Sequence, residues 1–179
     1  MPYLINKDIN HLIKANSIRP SSSFNKNQIQ PASLDLSLSS KCYRIKASFI
    51  PNKQPISKII NKLSLVEIDL NKEYLFEKNC IYLCELNESL NLPKKIKGKA
   101  NPKSTTGRLD IFTRLITEYG TEYDEIDYGY SGKLYLEIIP QSFSIELKKN
   151  ICLNQIRFFE GSDENIQKKI KISVSIQKG

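Results

Sequence analysis

The sequence predicts a mainly β protein, a barrel or a sandwich, with a short helix near its N-terminus. A series of short runs rich in Ile, Leu, Tyr and Phe is separated by turn residues, a spacing typical of all-β folds. The chain lacks a dinucleotide glycine fingerprint, a Walker loop and the strand–helix alternation of parallel α/β folds. It shows no internal repeat. At 179 residues it is long enough for a substantial core, and we expect residues 1–179 to form a single domain.

The first segments of the chain are predicted from the spacing of apolar residues and the positions of proline. Residues 3–16 are predicted to form an amphipathic helix, capped by Asn6 or Asp8, and residues 20–31 a polar loop. Residues 32–38 alternate strictly between apolar and polar side chains, which predicts a half-buried strand. Asp35 on its polar side is interpreted as a partner for backbone or a lysine, or as a group near a metal-bound phosphate.

Later strands are predicted from shorter apolar runs. They span residues 42–48, 64–70, 74–76, 80–86, 96–100, 111–116, 133–139, 143–147, 151–159 and 170–176, and residues 56–63 are expected to form one helical turn.

The basic charge is spread along the chain. Lys and Arg number 27 against 19 Asp and Glu, a net charge of +8, with one local cluster at Lys94, Lys95, Lys97, Lys99 and Lys103. Nucleic-acid surfaces usually interleave basic and aromatic residues, and this run does not. The cluster therefore favours a small phosphorylated ligand or plain solvation, and we predict no nucleic-acid partner.

Targeting signals and metal motifs are not evident. No apolar run approaches the roughly 20 residues that span a bilayer, and the N-terminus lacks a secretory pattern, so we expect a cytoplasmic protein without a membrane partner. Four cysteines are interpreted as reduced thiols. Cys80 and Cys84 would need two further ligands to hold zinc, and His11, the only histidine, lies in the predicted helix. We therefore predict neither a zinc site nor a protein-held metal.

Residues 103–108 predict an anion-binding loop. Lys103 and Arg108 bring positive charge, three hydroxyls follow Lys103, and Gly107 lets backbone N–H groups approach a ligand closely. Hydroxyl-rich loops are also common without a ligand, so a plain surface loop stays open as an alternative.

Glu137 is the strongest candidate for acid–base chemistry. It stands in an apolar strand with Tyr135 and Ile139 on its own face, and a carboxylate in a buried strand is costly unless it is paired or functional. Such a group can collect and deliver protons near neutral pH. The alternative is a structural ion pair with Arg108 or a lysine.

Several segments, taken together, resemble the dCTP deaminases, relatives of the trimeric dUTPases. Residues 103–109 are similar to that family's R-S-S-x-A-R-L loop, and residues 126–132 to its I-D-P-G-W-S-G turn. Residues 134–137 resemble its strand with the catalytic glutamate, residues 31–36 its A-x-[VL]-D-[VL] strand, and residues 153–158 its late strand with glutamine. The matches fall in order across residues 28–160. Lys103 stands where the family usually has arginine, and residues 117–125 are longer and more acidic than its V-T-A-H-R hairpin.

The resemblance implies a distorted, dUTPase-like β-barrel that forms a homotrimer with sites near subunit boundaries. It implies a zinc-independent hydrolase of a cyclic amidine C–N bond, which deaminates dCTP to dUTP and ammonia with Mg²⁺ on the triphosphate. Glu137 would be the base that activates water at cytosine C4, while Ser104 and Arg108 orient that water. The implied substrate contacts are Lys103, Ser104, Thr105, Thr106, Gly107 and Arg108 to phosphates, Asp127 to the sugar, Tyr135 and Leu136 to the base, and Gln155 to the ligand.

Two alternatives to a simple deaminase stay open. One is a dUTP pyrophosphatase or a bifunctional deaminase–pyrophosphatase. The other is a non-catalytic nucleotide-binding half that needs a partner chain, because the loop at 103–109 and the segment at 117–125 look more like the first half of the longer tandem deaminases. The sequence does not decide between dCTP and dUTP, nor whether dTTP inhibits.

Overall fold

The computed structural model describes residues 2–21 and 24–161. Its helices are α1 (Asn6–Lys14), α2 (Ile56–Leu63) and α3 (Ser104–Arg108), with a 3₁₀ turn at Lys26–Gln28. Its strands are β1 (Ile18–Pro20), β2 (Leu34–Ile45), β3 (Ser64–Asp69), β4 (Tyr74–Phe76), β5 (Ile81–Asn91), β6 (Ile96–Pro102), β7 (Ile111–Thr117), β8 (Glu125–Ile126), β9 (Ser131–Pro140), β10 (Ile145–Leu147) and β11 (Cys152–Glu160).

One antiparallel sheet curls into a distorted barrel. Its order is β7-β9-β5-β2-β11-β6-β8, with β1 on β5 and β3 on β2, while β4 and β10 pair separately. The two ends of the sheet lie close together: β6 and β8 at one end both contact β7 at the other. The predicted mainly β barrel with a short N-terminal helix is confirmed.

Asp124 closes the gap between the ends of the sheet. Its Oδ1 accepts the Leu115 N–H at 2.7 Å, and its own N–H donates to the Leu115 carbonyl at 2.9 Å. The Ala100 N–H donates to the Asp124 carbonyl at 2.8 Å. One residue in the left-handed region, with φ of 61°, thus bridges β7 and β6. Burial raises the pKa of this carboxyl group, and the Leu115 N–H and Arg114 oppose that shift.

Two apolar clusters occupy opposite faces of β9. Leu134, Leu136 and Ile138 point into the main core inside the barrel. Tyr135 belongs to a second cluster on the outer face, together with Ile45, Ile56, Leu83 and Ile116. Residues of α2 cover that outer cluster, so β9 is buried on both faces, as predicted.

The N-terminal region differs from its prediction in extent. The helix predicted over 3–16 covers Asn6–Lys14, and its first turn is capped by the Asp8 side chain, which accepts the Ile5 N–H at 3.0 Å. The loop predicted over 20–31 contains the 3₁₀ turn. Two strands, β1 and β8, were not predicted. They have three and two residues respectively, too few to show a hydrophobic periodicity.

The strand at residues 32–38 was wrongly predicted to be half-buried. It begins β2, which runs unbroken to Ile45, and both Asp35 and Ser37 on its polar side are buried. The reason is a second layer of polar groups: Glu88 accepts bonds from Ser37, and Lys103 pairs with Asp35. Alternation identified the strand, but it does not report what covers its polar side.

Residues 104–108 form one helical turn instead of the predicted loop, and residues 56–63 form two turns instead of one. The other predicted strands correspond to β2 to β7 and β9 to β11, with differences in their limits. The strand predicted over 42–48 ends at Ile45 as part of β2, and the strand predicted over 143–147 begins at Ile145. The strand predicted over 170–176 lies outside the described residues. All four cysteines are free thiols, as predicted. No helix within 2–21 and 24–161 has the length and apolar character needed to cross a membrane.

Candidate active site

Glu137 is completely buried and pairs with an arginine on the neighbouring strand. Strand pairing places Arg114 of β7 directly opposite Glu137 of β9. Nε and Nη2 of Arg114 both donate to Oε1 of Glu137, at 2.8 and 2.5 Å. The expected alternative partners, Arg108 or a lysine, were wrong, although a counter-charge to the carboxylate was correctly anticipated.

The Arg114 guanidinium lies between two aromatic rings. Its Cζ is 3.9 Å from the Tyr123 ring centroid and 5.0 Å from that of Phe112. Stacking on aromatic faces suits a planar, weakly hydrated cation and restricts its orientation. Arg114 is thus fixed on one side by rings and on the other by the carboxylate.

The second oxygen of Glu137 has no hydrogen-bond partner among the described residues. Oε2 is buried, as is Oδ1 of Asn154, the other side-chain oxygen with this property in the described ranges. Buried polar atoms are almost always satisfied, and exceptions cluster where a ligand or reaction uses them. Oε2 is therefore a buried acceptor available for a proton or a donor.

The residues beside Glu137 lie on different faces. Tyr135 shares the outer face with it and donates its hydroxyl to Glu118 Oε2 at 3.3 Å; burial raises the pKa of this phenol well above its usual range. Leu136 points into the main core. It therefore lies on the face opposite Tyr135 and Glu137, because alternate residues of a strand face opposite sides, and its implied contact with the base stays a prediction.

One cleft brings together three of the sequence-derived contact residues. Lys103, Ser104 and Gln155 line a space of about 240 Å³ together with Ser33 and Asp35. Lys103 and Asp35 form an ion pair, and the Ser33 hydroxyl donates to Gln155 Oε1 at 3.0 Å. The structural interpretation of Asp35 as a partner for lysine is thus confirmed.

The remaining residues of α3 point elsewhere. The Thr106 hydroxyl is buried and donates to the Leu153 carbonyl at 2.7 Å, so this hydroxyl is used inside the protein. The implied phosphate contact of Thr106 stays a prediction. Thr105 and Arg108 are exposed. Gly107 lines a different cleft of about 440 Å³, together with Phe112, Arg114 and Asp124.

Asp127 stands apart from both clefts, on an exposed turn before Gly129. Its carbonyl accepts the Tyr130 N–H at 3.2 Å. The implied sugar contact of Asp127 stays a prediction.

The lysine cluster is divided among separate contacts. Lys99 pairs with Glu125 at 3.0 Å, Lys103 pairs with Asp35, and Lys97 lies 5.5 Å from the Tyr128 ring centroid. These lysines therefore do not form one continuous surface of unpaired cations, which agrees with solvation and local pairing.

A second buried carboxylate, Glu88 of β5, lies in a polar pocket of about 340 Å³. Its Oε2 accepts the Ser37 N–H at 2.9 Å, and its Oε1 accepts the Ser37 hydroxyl and the Gln28 amide, both at 2.7 Å. Burial raises its pKa, and these donors oppose the shift.

Sequence reasoning missed Arg114, Tyr123 and Glu118. Like Glu137, Arg114 is a lone charged residue in an apolar strand, and its charge is opposite to that of Glu137. The pairing of β7 with β9 brings the two residues together, and neither strand reveals that pairing by itself. The described residues contain no group of three or more His, Cys, Asp or Glu side chains placed to hold a metal ion.

Comparison with known proteins adds the family. Residues 3–162 match the model of the 2'-deoxycytidine 5'-triphosphate deaminase N-terminal domain. The dUMP-forming dCTP deaminases of Methanosphaera stadtmanae and Nanoarchaeum equitans are 27% and 28% identical to this chain, across 77% and 76% of it and 68% and 73% of their own lengths. A crystal structure of 2'-deoxycytidine 5'-triphosphate deaminase from Agrobacterium tumefaciens is 43% identical with a TM-score of 0.86, over 89% of this chain and 48% of that one. This chain thus spans about half the length of the Agrobacterium protein, and it belongs to the family of the dCTP deaminase N-terminal domain.

Proposed function

We propose that this protein deaminates dCTP by hydrolysis, with Glu137 as the base. The observation that carries the proposal is a fully buried carboxylate, held by a cation through one oxygen, whose second oxygen has no partner among the described residues. Hydrolytic deamination needs a group that takes a proton from water and later returns it to the leaving amine. A carboxylate with one free, desolvated oxygen suits that task.

The proton movements follow from this arrangement. Oε2 of Glu137 removes a proton from water as the water oxygen bonds to C4 of the cytosine ring, and passes that proton to ring atom N3. The same oxygen then moves the remaining hydroxyl proton to the exocyclic amine, so that the bond from C4 to the exocyclic nitrogen breaks, ammonia leaves and C4 keeps a carbonyl oxygen. Arg114 stays on Oε1 throughout and balances the carboxylate charge. Ser104 and Arg108 are assigned to orient the water and to stabilise charge that develops on the ring.

The triphosphate is assigned to the cleft of Lys103, Ser104 and Gln155. A lysine and a hydroxyl are suitable donors to phosphate oxygens, and Gln155 contributes an amide. Mg²⁺ commonly binds through substrate phosphates and one or two carboxylates instead of a protein cage. Asp35 in the same cleft fits such a metal, which would neutralise phosphate charge when bound.

The two sets of residues line different clefts of one protomer, and this supports a site completed by assembly. Lys103 and Ser104 line one cleft, while Gly107 and Arg114 line the other. We assign the complete site to the boundary between subunits of a homotrimer. Sedimentation or light scattering measures the oligomeric state directly.

A bifunctional enzyme that also cleaves the triphosphate is the second candidate. Two relatives are named dUMP-forming dCTP deaminases, which favours it. The decisive experiment incubates the purified protein with dCTP and Mg²⁺ and follows ammonia, dUTP, dUMP and pyrophosphate. Ammonia with dUTP supports deamination alone, and ammonia with dUMP and pyrophosphate supports the bifunctional enzyme. Binding of dCTP without turnover would contradict both and indicate a non-catalytic nucleotide-binding half.

Replacement of Arg108 tests the role of α3. Arg108 is exposed, so Arg108→Ala should leave the protomer folded while lowering kcat by about 10²-fold, the usual size of an electrostatic catalytic contact. Steady-state kinetics and circular dichroism measure the two effects. Exposed Lys62 of α2 provides the control, because Lys62→Ala should change neither.

A further inference from the structure

We propose that Arg114 is a positioning residue for the catalytic carboxylate, and that its grip on Oε1 of Glu137 makes Oε2 the oxygen that moves the proton. This inference rests on the proposed function, since it assumes that Glu137 acts as the base.

The first argument is the geometry of the ion pair. A forked guanidinium often bonds both oxygens of a carboxylate, one to each nitrogen. Here Nε and Nη2 converge on the same oxygen, at 2.8 and 2.5 Å, and no described donor reaches the other. A purely structural pair in a dry environment is expected to satisfy both oxygens, because an unpaired buried acceptor is destabilising. The asymmetry therefore leaves one oxygen for chemistry.

The second argument is the fixing of Arg114 itself. Tyr123 and Phe112 flank its guanidinium, and the backbone of β7 holds its Cα opposite Glu137. Strand pairing and ring stacking both constrain the cation, so the carboxylate it holds has little freedom to rotate. A catalytic group displaced by as little as 1 Å can lose about 10²-fold in rate.

The third argument is charge. Glu137 is completely shielded from solvent, where an unpaired carboxylate takes up a proton readily. Other charged or titratable groups lie near this face of β9. They are Tyr123 between β7 and β8, Tyr135 of β9, Tyr43 of β2, Glu118 beyond Tyr135 and Asp124 beyond Arg114. The residue that pairs with Glu137 on β5 is the apolar Leu83. Among the described groups around it, Arg114 is the cation in contact with the carboxylate, so its removal would leave the buried carboxylate without a counter-charge.

The experiment compares Arg114→Met and Arg114→Lys with the unaltered protein. Kinetics of dCTP deamination are measured from acid to alkaline pH, together with thermal unfolding. Met fills similar volume without charge, so Arg114→Met should lower kcat at neutral pH by about 10²-fold. It should also move the acid limb of the pH profile upward, because the buried carboxylate loses its counter-charge. Arg114→Lys keeps the charge but loses the fork, so its acid limb should stay in place while kcat falls.

Arg44→Met is the matched control. Arg44 also pairs with a glutamate, Glu77, at 2.6 Å, but on β2 and away from Glu137, so this variant should keep kcat and the pH profile. If Arg114→Met does not fold, Arg114→Lys decides: unchanged kcat in that variant overturns the inference. A changed KM with unchanged kcat and acid limb in Arg114→Met overturns it as well.

Failure of the proposed function gives a different result. If the unaltered protein binds dCTP but releases no ammonia, the deaminase proposal and this inference both fail. If the unaltered protein is active and both Arg114 variants match it, the inference alone fails.

Discussion

Glu88 and Glu137 are both buried carboxylates on adjacent strands of one barrel, and their surroundings differ in one respect. Glu88 has hydrogen bonds on both oxygens, from the backbone and hydroxyl of Ser37 and from the amide of Gln28. Glu137 has an arginine on one oxygen and no described partner on the other. Neutral donors around both oxygens produce a structural anchor, whereas a single cation on one oxygen produces a group held ready to react.

The largest expected effect that separates the two carboxylates is on turnover. Glu137→Gln keeps an oxygen for Arg114 but cannot accept a proton, so dCTP deamination should fall by about 10²–10⁴-fold or more while dCTP still binds. Glu88→Gln should leave turnover unchanged. Ammonia release and nucleotide binding by calorimetry measure these outcomes, and near-normal turnover in Glu137→Gln would remove that residue from the mechanism.

The second largest effect is on stability, and it belongs to Glu88. Glu88→Ala leaves three buried donors without an acceptor, so the free energy of unfolding should fall by about 3 kcal/mol. Urea denaturation followed by circular dichroism measures this change. Glu73→Ala, which removes an exposed partner of Lys148, should leave the midpoint unchanged. An unchanged midpoint in Glu88→Ala would mean that its bonds do not anchor β2 to β5.

The smallest effect is on the pH dependence of stability. Burial raises the pKa of Glu88 above its ordinary value of 4.5, so the folded state holds this proton more tightly than the unfolded state. The stability this group contributes is complete below that ordinary value and is lost as pH rises through the folded pKa. The melting temperature of the unaltered protein minus that of Glu88→Gln should therefore increase from pH 7 to pH 5. A difference that stays constant or decreases contradicts this sign.

Local sequence patterns predicted most strands and the burial of Glu137. The apolar run around Glu137 is long enough to indicate a strand buried on both faces, and the structure confirms this. The residue pattern of the 103–108 segment also identified Lys103 and Ser104, while Gln155, which shares their cleft, was implied by the family resemblance alone. These features depend on a few consecutive residues, and periodicity reports them well.

Features that depend on strand order were not predictable. The partnership of Glu137 with Arg114 requires β7 beside β9, and the bonds of Glu88 require the register shifts that bring β5 against β2 near Ser37. The helical turn α3 was taken as a loop because Thr and Gly are poor helix formers. Its fold is set by a distant contact, the bond from Thr106 to the Leu153 carbonyl.

The connection between β7 and β8, which carries Tyr123, is also tied to the segment leading into α2. The Asn52 N–H donates to the Gly120 carbonyl at 2.8 Å, the Lys53 N–H to the Tyr119 carbonyl at 3.2 Å, and the Ile56 N–H to Glu118 Oε1 at 2.9 Å. Two stretches more than 60 residues apart along the chain thus make up a single cover over the outer apolar cluster. Displacing either stretch would remove hydrogen bonds from the other, so the two are expected to open together and to expose the outer cluster as one unit.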